Sequence, residues 1–591
     1  MRKGKYCLTI NDQRETDAAF PVARFPFPVS RRPLHKLFFI GLLLLLSSTV
    51  VRAQEEKEGG EIENVEIEIV KEKQITMPKA NRNFEKVPPR PADPLAPAMT
   101  YDFKTLTFQA PDYNPVVKPL RLKDEPLSKI YGNYVSAGYG NYNSPFLRGS
   151  IASKRNAEKY YGVDFFHHSF GKGPVEGEYS GSGYSKLNGY LSGMGPKVTA
   201  NVGLTYENMF NHFYGGIKPA FKPESADDIR QTYNIIGLNA GITNTKESDF
   251  NFSLKGDFSY LRDRFSATES DAGLHFNSRY DFDKTNAILF KADYSLIARK
   301  DALVEAKPRH LLKINPTYQF TILDGRFRMT AGLNAVVEND TIGKDKPIHI
   351  YPDVWIYSQL AKTVEAYAGI TGDFEKVSLH TLARENQWIN SNIDIFHTNK
   401  SFEFRAGIKG KVVRKVSFHV GTSVINYKHL YLYTNSFGSF EEPLIGTEKF
   451  NMIYDDALRL NFFGELGVVH ADKVSVNLRG DYFTYSMKTL DYAYNRPQYK
   501  VGFYSSYRMF DKILLTVDLL SQGGAKTLGI QANTVVTLKS ALNLNAKLRY
   551  FISKPLSVYV EANNALNNQY PIYQFYPARG VQVSAGLSWS F

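Results

Sequence analysis

The chain has 591 residues with 38 Tyr, 40 Phe, 43 Gly and one cysteine, Cys7, and carries a formal net charge of +13. A single cysteine excludes a disulfide framework and a thiolate-dependent metal site. Beyond the N-terminus no run reaches the roughly 18 to 20 continuous apolar residues of a membrane helix, and the mean hydropathy is slightly polar at −0.33.

Residues 1–53 read as an export leader. Arg31, Arg32 and Lys36 precede an apolar run from Leu37 to Leu46, and Val51-Arg52-Ala53 offers the small or apolar residues of a cleavage site before Gln54. The run is short for a membrane span, so a mature start near Gln54 is expected. Cys7 lies in this leader, so the mature chain would hold no cysteine and no lipidated one at the cleavage site. Nine basic and three acidic leader residues carry +6 of the +13, leaving +7, which gives no reason to expect nucleic acid as a partner.

Residues 54–129 differ from all that follows. EEKEGGEIENVEIEIVKEKQ is Glu-rich and EKVPPRPADPLAPAM is Pro-rich, without helical periodicity, which reads as an extended acidic and Pro-rich tether with no folded plug. Within it Val65, Ile67 and Ile69 alternate with Glu66 and Glu68 and are followed by Val70, a short strand awaiting a partner edge.

From about residue 130 to 591 the text is a series of alternating segments. In KVSVNLRGDY, Val474, Val476, Leu478 and Tyr482 oppose Ser475, Asn477, Arg479 and Asp481; in KTNAILFKADYSL, Ile288, Phe290, Ala292, Tyr294 and Leu296 oppose Leu289, Lys291, Asp293 and Ser295. A period of two is that of an extended strand with one apolar and one polar face. The segments are paired by short turns such as Gly195-Pro196-Lys197, Asp283-Lys284, Asp324-Gly325-Arg326, Arg414-Lys415, Asp511-Lys512 and Lys554-Pro555, which supply Gly, Pro or Asp where a tight reversal needs them. Ten such turns, with a first strand at about 131–140 and a last at 579–591, give about 22 strands; 18 to 20 are the alternative counts.

Parity tests that count. All ten short turns join an even strand to an odd one, while the longer connections, near 169–183, 214–230, 373–400, 428–454, 487–498 and 522–536, join odd to even. Short turns at one end and long loops at the other are the pattern of a transmembrane antiparallel up-and-down β-barrel. Strands of about 9 to 11 residues suffice to cross about 25 Å of lipid at a tilt, so an all-β soluble array fits less well.

The stretch EANNALNNQYPIYQFYPARGVQVSAGLSWSF resembles the closing hairpin of the TonB-dependent receptor β-barrel family, with Asn564, Leu566, Asn567 and Tyr570 in an N-x-L-N-x-x-Y arrangement, then Pro577, Gly580 and Phe591. EPLSKIYGNYVSAGYGNYNSPFLRGSIASKRN is similar to the opening strands of a plug-lacking branch of that family. The resemblance covers roughly residues 120–591. It implies a 22-strand barrel in the outer membrane of a Gram-negative bacterium, with outer-membrane lipid and the barrel insertion machinery as partners. In VQVSAGLSWSF the row Val583, Leu587, Trp589 and Phe591 is expected to face lipid and to resemble the assembly signal read by that machinery. Val65, Ile67, Ile69 and Val70 resemble a TonB box in charge and alternation, which would make TonB a further partner. The departure is the plug: family importers carry well over a hundred folded residues before the barrel, and here about 75 mature residues precede the first strand.

No catalytic, cofactor or metal site is expected. His167-His168-Ser169 invites a metal or triad reading, but neighbours on a strand point to opposite faces, so the two rings are not placed to share an ion. No G-x-S-x-G, P-loop or H-E-x-x-H occurs in its proper context. The connection 373–400, with His380 and Trp388, and the Tyr-, Phe- and Gly-rich 428–454 could bind solute, cap the barrel or dock a neighbour. A 22-strand lumen leaks unless it is filled. Two readings follow: a transport barrel closed by its loops or a partner, or a non-transporting scaffold in a multiprotein outer-membrane assembly.

Overall fold

The computed structural model describes residues 131–591 apart from 155, 157, 216–222, 341–346, 436–447, 472 and 530–533. The leader, the tether and the stretch Val65 to Val70 lie outside the described residues.

Twenty-two antiparallel strands form one sheet, each paired with its neighbours in sequence. The first strand, Asn133–Gly140, also pairs with the last, Gln582–Ser590, from Tyr134↔Ser590 to Gly140↔Ser584. Ser136 Oγ and Ser588 Oγ meet at 2.8 Å on the seam, and Asn133 and Phe591 exchange backbone bonds at 3.1 and 3.0 Å. The 22-strand sheet thus closes on itself with no free edge, which is what a lipid environment requires of strands.

Alternation assigns the two faces. Leu187, Leu191, Val202, Leu204, Ile236, Leu238, Leu478 and Tyr482 are exposed on the outer face, where an apolar band suits hydrocarbon and would not suit water. Val583, Leu587, Trp589 and Phe591 lie on the same face, and Trp589 stacks on Phe591 at 4.4 Å. The inner face carries paired polar and charged groups: Arg479 with Asp481 at 2.9 Å, His275 with Asp293 at 2.6 Å, Lys547 with Glu561 at 2.5 Å. Inward aromatics lie flat on the wall where the neighbouring strand has a glycine. A Cβ at Gly369 would fall 2.3 Å from the Trp355 ring, so a side chain there would displace the indole.

His167 and His168 sit on the strand Lys159–Phe170 and point apart, as expected from neighbouring strand positions. His167 engages Ser185 Oγ at 2.8 Å, while the His168 ring packs against Phe146 and Phe170.

All ten predicted short turns fall between an even and an odd strand. The opposite end departs from expectation in three places. The connection after the first strand spans only 141–143, and that between Phe250–Asp263 and Thr268–Asp281 only 264–267. Of the predicted loop 428–454, residues 428–435 and 450–454 are strand: Val416–Asn435 and Phe450–His470 extend a paired hairpin into it from both sides. Leu430 to Asn435 are all buried, with Tyr431 and Tyr433 in one apolar cluster and Leu430 and Leu432 in another. A strand covered on both faces loses the polar alternation by which strands are recognised. A bulge between Tyr427 and Leu430, with His429 at φ +55°, bends the hairpin where it leaves the regular ladder.

Candidate functional site: a loop across the bore

Residues 376–397 join the thirteenth strand, Val364–Glu375, to the fourteenth, Thr398–Val413. A connection between adjacent strands has only to reverse direction; this one does far more. Its helix, Leu379–Glu385, starts at Ser378, whose Oγ accepts from Thr381 N at 3.2 Å. The barrel wall completes the cap: Glu269, on the eighth strand, accepts from Leu379 N at 2.7 Å and His380 N at 3.0 Å. A carboxylate there satisfies helix N–H groups that have no partner of their own. Lys376 reaches Asp271 on the same strand at 2.8 Å.

Farther round, Arg384 pairs with Glu207 on the fifth strand, Val198–His212, and Glu207 is shared with Lys186 at 3.1 Å. The fifth strand is eight strands from the thirteenth, about 38 Å along the wall at ~4.8 Å per strand. A short helix that reaches it crosses the bore as a chord.

On the other flank, Glu385 pairs with Arg496 at 3.1 Å and accepts from Tyr431 OH at 2.5 Å, and its carbonyl accepts from Tyr573 OH at 3.2 Å. Tyr573 belongs to the connection between the twenty-first and last strands. The loop therefore meets the wall on one flank, and the bent hairpin and two other connections on the other, at the end that carries the long connections.

Apolar packing fills the middle. Leu379, Leu382 and Ile389 are fully buried, in one cluster with Phe213, Tyr233, Leu261, Phe450 and Tyr576. Trp388 stacks on Tyr576 at 4.2 Å and donates from Nε1 to His212 O at 3.1 Å, so its polar edge is satisfied inside an apolar setting. Trp388 and Asn390 exchange backbone bonds with Phe450 at 3.0 and 2.7 Å. The returning half is held by Arg299, which donates to Ser391 O at 2.7 Å and Ile393 O at 2.5 Å, and by Asp340, which accepts from His397 N at 2.6 Å.

His380 is largely buried, with Nε2 4.0 Å from Glu207. Burial, reinforced by the Arg384 guanidinium, lowers its pKa to about 4, so the ring is neutral at neutral pH. Burial raises the Tyr214, Tyr573 and Tyr576 phenols, which stay neutral as well.

His380 and Trp388, singled out from the sequence in connection 373–400, thus lie at the centre of the site. Glu207, Glu269 and Arg496 were not singled out, because on paper each is one of many polar residues on a strand or in a loop. The N-x-L-N-x-x-Y positions organise the last connection. Asn564 and Asn567 adopt left-handed backbone at φ +49° and +51°, Asn564 Nδ2 donates to Arg579 O at 2.7 Å, and Tyr570 is fully buried. Asparagine tolerates that conformation at low cost. Among the described residues no group of three or more His, Asp or Glu is placed to hold a metal ion.

The closed 22-strand ladder decides the comparison with known proteins. This is the barrel fold of the TonB-dependent receptors. The ferric enterobactin receptor of Pseudomonas aeruginosa superposes with a TM-score of 0.57 at 12% identity, over 79% of this chain and 82% of that one. The FrpB iron transporter of Neisseria meningitidis gives 0.58 at 10% identity over 79% and 82%, and the siderophore receptor PirA of Acinetobacter baumannii 0.59 at 12% over 78% and 80%. No protein-family model and no curated protein matches the chain. At such identities the likeness is one of fold.

Proposed function

We propose that the chain forms an outer-membrane transport barrel, exported by its leader, whose mouth on the long-connection side is closed by the loop 376–397. The observation that carries this reading is the pair of anchors on opposite flanks, Arg384 with Glu207 on the fifth strand and Glu385 with Arg496 in the connection 488–498. A polar lumen lined by groups such as Arg479, Asp481 and Asp293 suits a water-filled path. In this reading residues 54–129 form no plug, so the loop takes the place of one. Val65, Ile67, Ile69 and Val70 would serve as a TonB contact, and the row Val583, Leu587, Trp589 and Phe591 would be read by the insertion machinery. Nothing in this reading calls for catalysis.

The test is conductance in planar bilayers. Wild-type barrel is expected to be nearly silent, and a variant with 378–396 replaced by a short Gly-Ser linker to conduct as a wide pore. A folded linker variant that stays silent overturns the reading. Silence together with a stoichiometric co-purifying partner would favour the scaffold role.

A further inference from the structure

Arg384, Lys376, Arg299 and Arg496, which hold the loop 376–397, each face a carboxylate. Arg579 does not. It lies in the last connection, its carbonyl held by Asn564, and its guanidinium sits over the Phe170 ring at 4.1 Å with Nη2 2.6 Å from Ser182 Oγ. Its Nε is buried without a partner, and no carboxylate of the described residues pairs with it. Burial pulls its pKa below the ordinary arginine value, with only the Tyr214 and Tyr142 phenols opposing. A guanidinium whose Nε is sealed from water and that faces no counter-charge among the described residues is costly unless something supplies one.

The guanidinium borders a small cleft lined also by Pro174, Ser180, Ser182, Tyr214 and Trp388. Phe170 and Ser182 have the inward parity of their strands, opposite to the exposed Val163, Phe165, Leu187 and Leu191. The cleft therefore opens on the bore and not on lipid, and the Trp388 wall belongs to the loop across the bore.

We propose that Arg579, with Ser182, forms an anion-binding site that takes a carboxylate or phosphate group of a solute entering the mouth. The planar guanidinium offers two parallel donors to such a group, the geometry in which arginine binds carboxylate and phosphate best. The Phe170 ring fixes the plane from one side, and Ser182 fixes one end. The cleft is too small for a whole iron chelate or sugar, so it takes one anionic group of a larger solute or a small anion entire.

Full-length protein in detergent, with its barrel verified by heat-modifiable migration, would be titrated calorimetrically with inorganic phosphate and with succinate. Saturable binding of at least one is expected, weakened at least tenfold in Arg579→Met and partly restored in Arg579→Lys. Absence of saturable binding to wild type, or equal binding by Arg579→Met, overturns the proposal. Binding through Arg579 of phosphorylated lipopolysaccharide alone overturns the solute as source. Trp388 emission, read in a Trp355→Phe, Trp589→Phe background, is expected to be unchanged by Arg579→Met; a red shift would show that Arg579 merely holds the loop, and overturns the site. Because the readout is binding, a barrel that binds but never conducts would keep this site and lose the transport reading.

Discussion

Arg496 forks between the two sides of one contact: Nη1 pairs with Glu385 Oε1 and Nη2 donates to Tyr431 O, each at 3.1 Å. Glu385 belongs to the loop across the bore and Tyr431 to the bent hairpin, so one side chain joins them. Arg496→Met is expected to loosen the helix end by about 1–2 kcal/mol, the Glu385 side chain being partly in water and the pair correspondingly screened. Brief conducting events should appear in single-channel records about tenfold more often than in wild type. Unchanged records would show that the fork does not hold the loop.

Trp388 is the apolar anchor. Trp388→Ala removes the stack on Tyr576 and leaves a cavity in the buried cluster, a change of ~3–5 kcal/mol in packed interiors. Amide exchange in 378–396 should accelerate strongly while the barrel strands keep their protection. Equal protection in both proteins would place the anchor elsewhere.

Acid should release the loop. His380 has a pKa of about 4 in the docked loop, chiefly through burial and then Arg384, against about 6.5 for a free histidine. The folded value is depressed, so the undocked loop binds the extra proton first. Docking is at full strength above about pH 6.5 and weakens as pH falls toward 4. Glu207, Asp271, Lys376 and Arg384 face the ring. Conductance should rise between pH 6.5 and 4.5 in wild type, and His380→Gln should flatten the rise. A rise of the same slope in that variant refutes the assignment.

The closing strand offers a test of assembly. Trp589→Ser with Phe591→Ser removes two exposed aromatics from the outward apolar row without touching the Ser136–Ser588 seam. The heat-modifiable, membrane-inserted fraction is expected to fall several-fold in cells. Refolding into lipid vesicles, where no machinery acts, should fall less. An equal fall in both would trace the loss to lipid burial alone.

Much of the architecture was legible in the residues themselves. Alternation along segments such as Val474–Met487 has a single physical cause, a wall with an apolar outer face and a polar inner one, and each residue reports it independently of the rest. The ten turns, their parity and the strand count follow from that local rule, as does the row ending in Trp589 and Phe591. The rule failed where its cause disappears. Leu430 to Asn435 are covered on both faces, so their strand shows no alternation and reads as loop.

What only the tertiary structure decided is which distant groups meet. Glu207 and Arg384 are 177 positions apart, Glu269 and His380 111, Asn564 and Arg579 15, and no periodicity links the first two pairs. A strand residue carries its face in its neighbours, but a loop residue carries its partner nowhere, because the partner is fixed by closure of the ladder and the bend of the hairpin. The sequence alone thus determined a barrel, its two ends and its outward apolar rows. The crossing of the bore by 376–397, and Arg579 beside it with no carboxylate partner among the described residues, came from the fold, because burial and charge compensation are properties of neighbours in space.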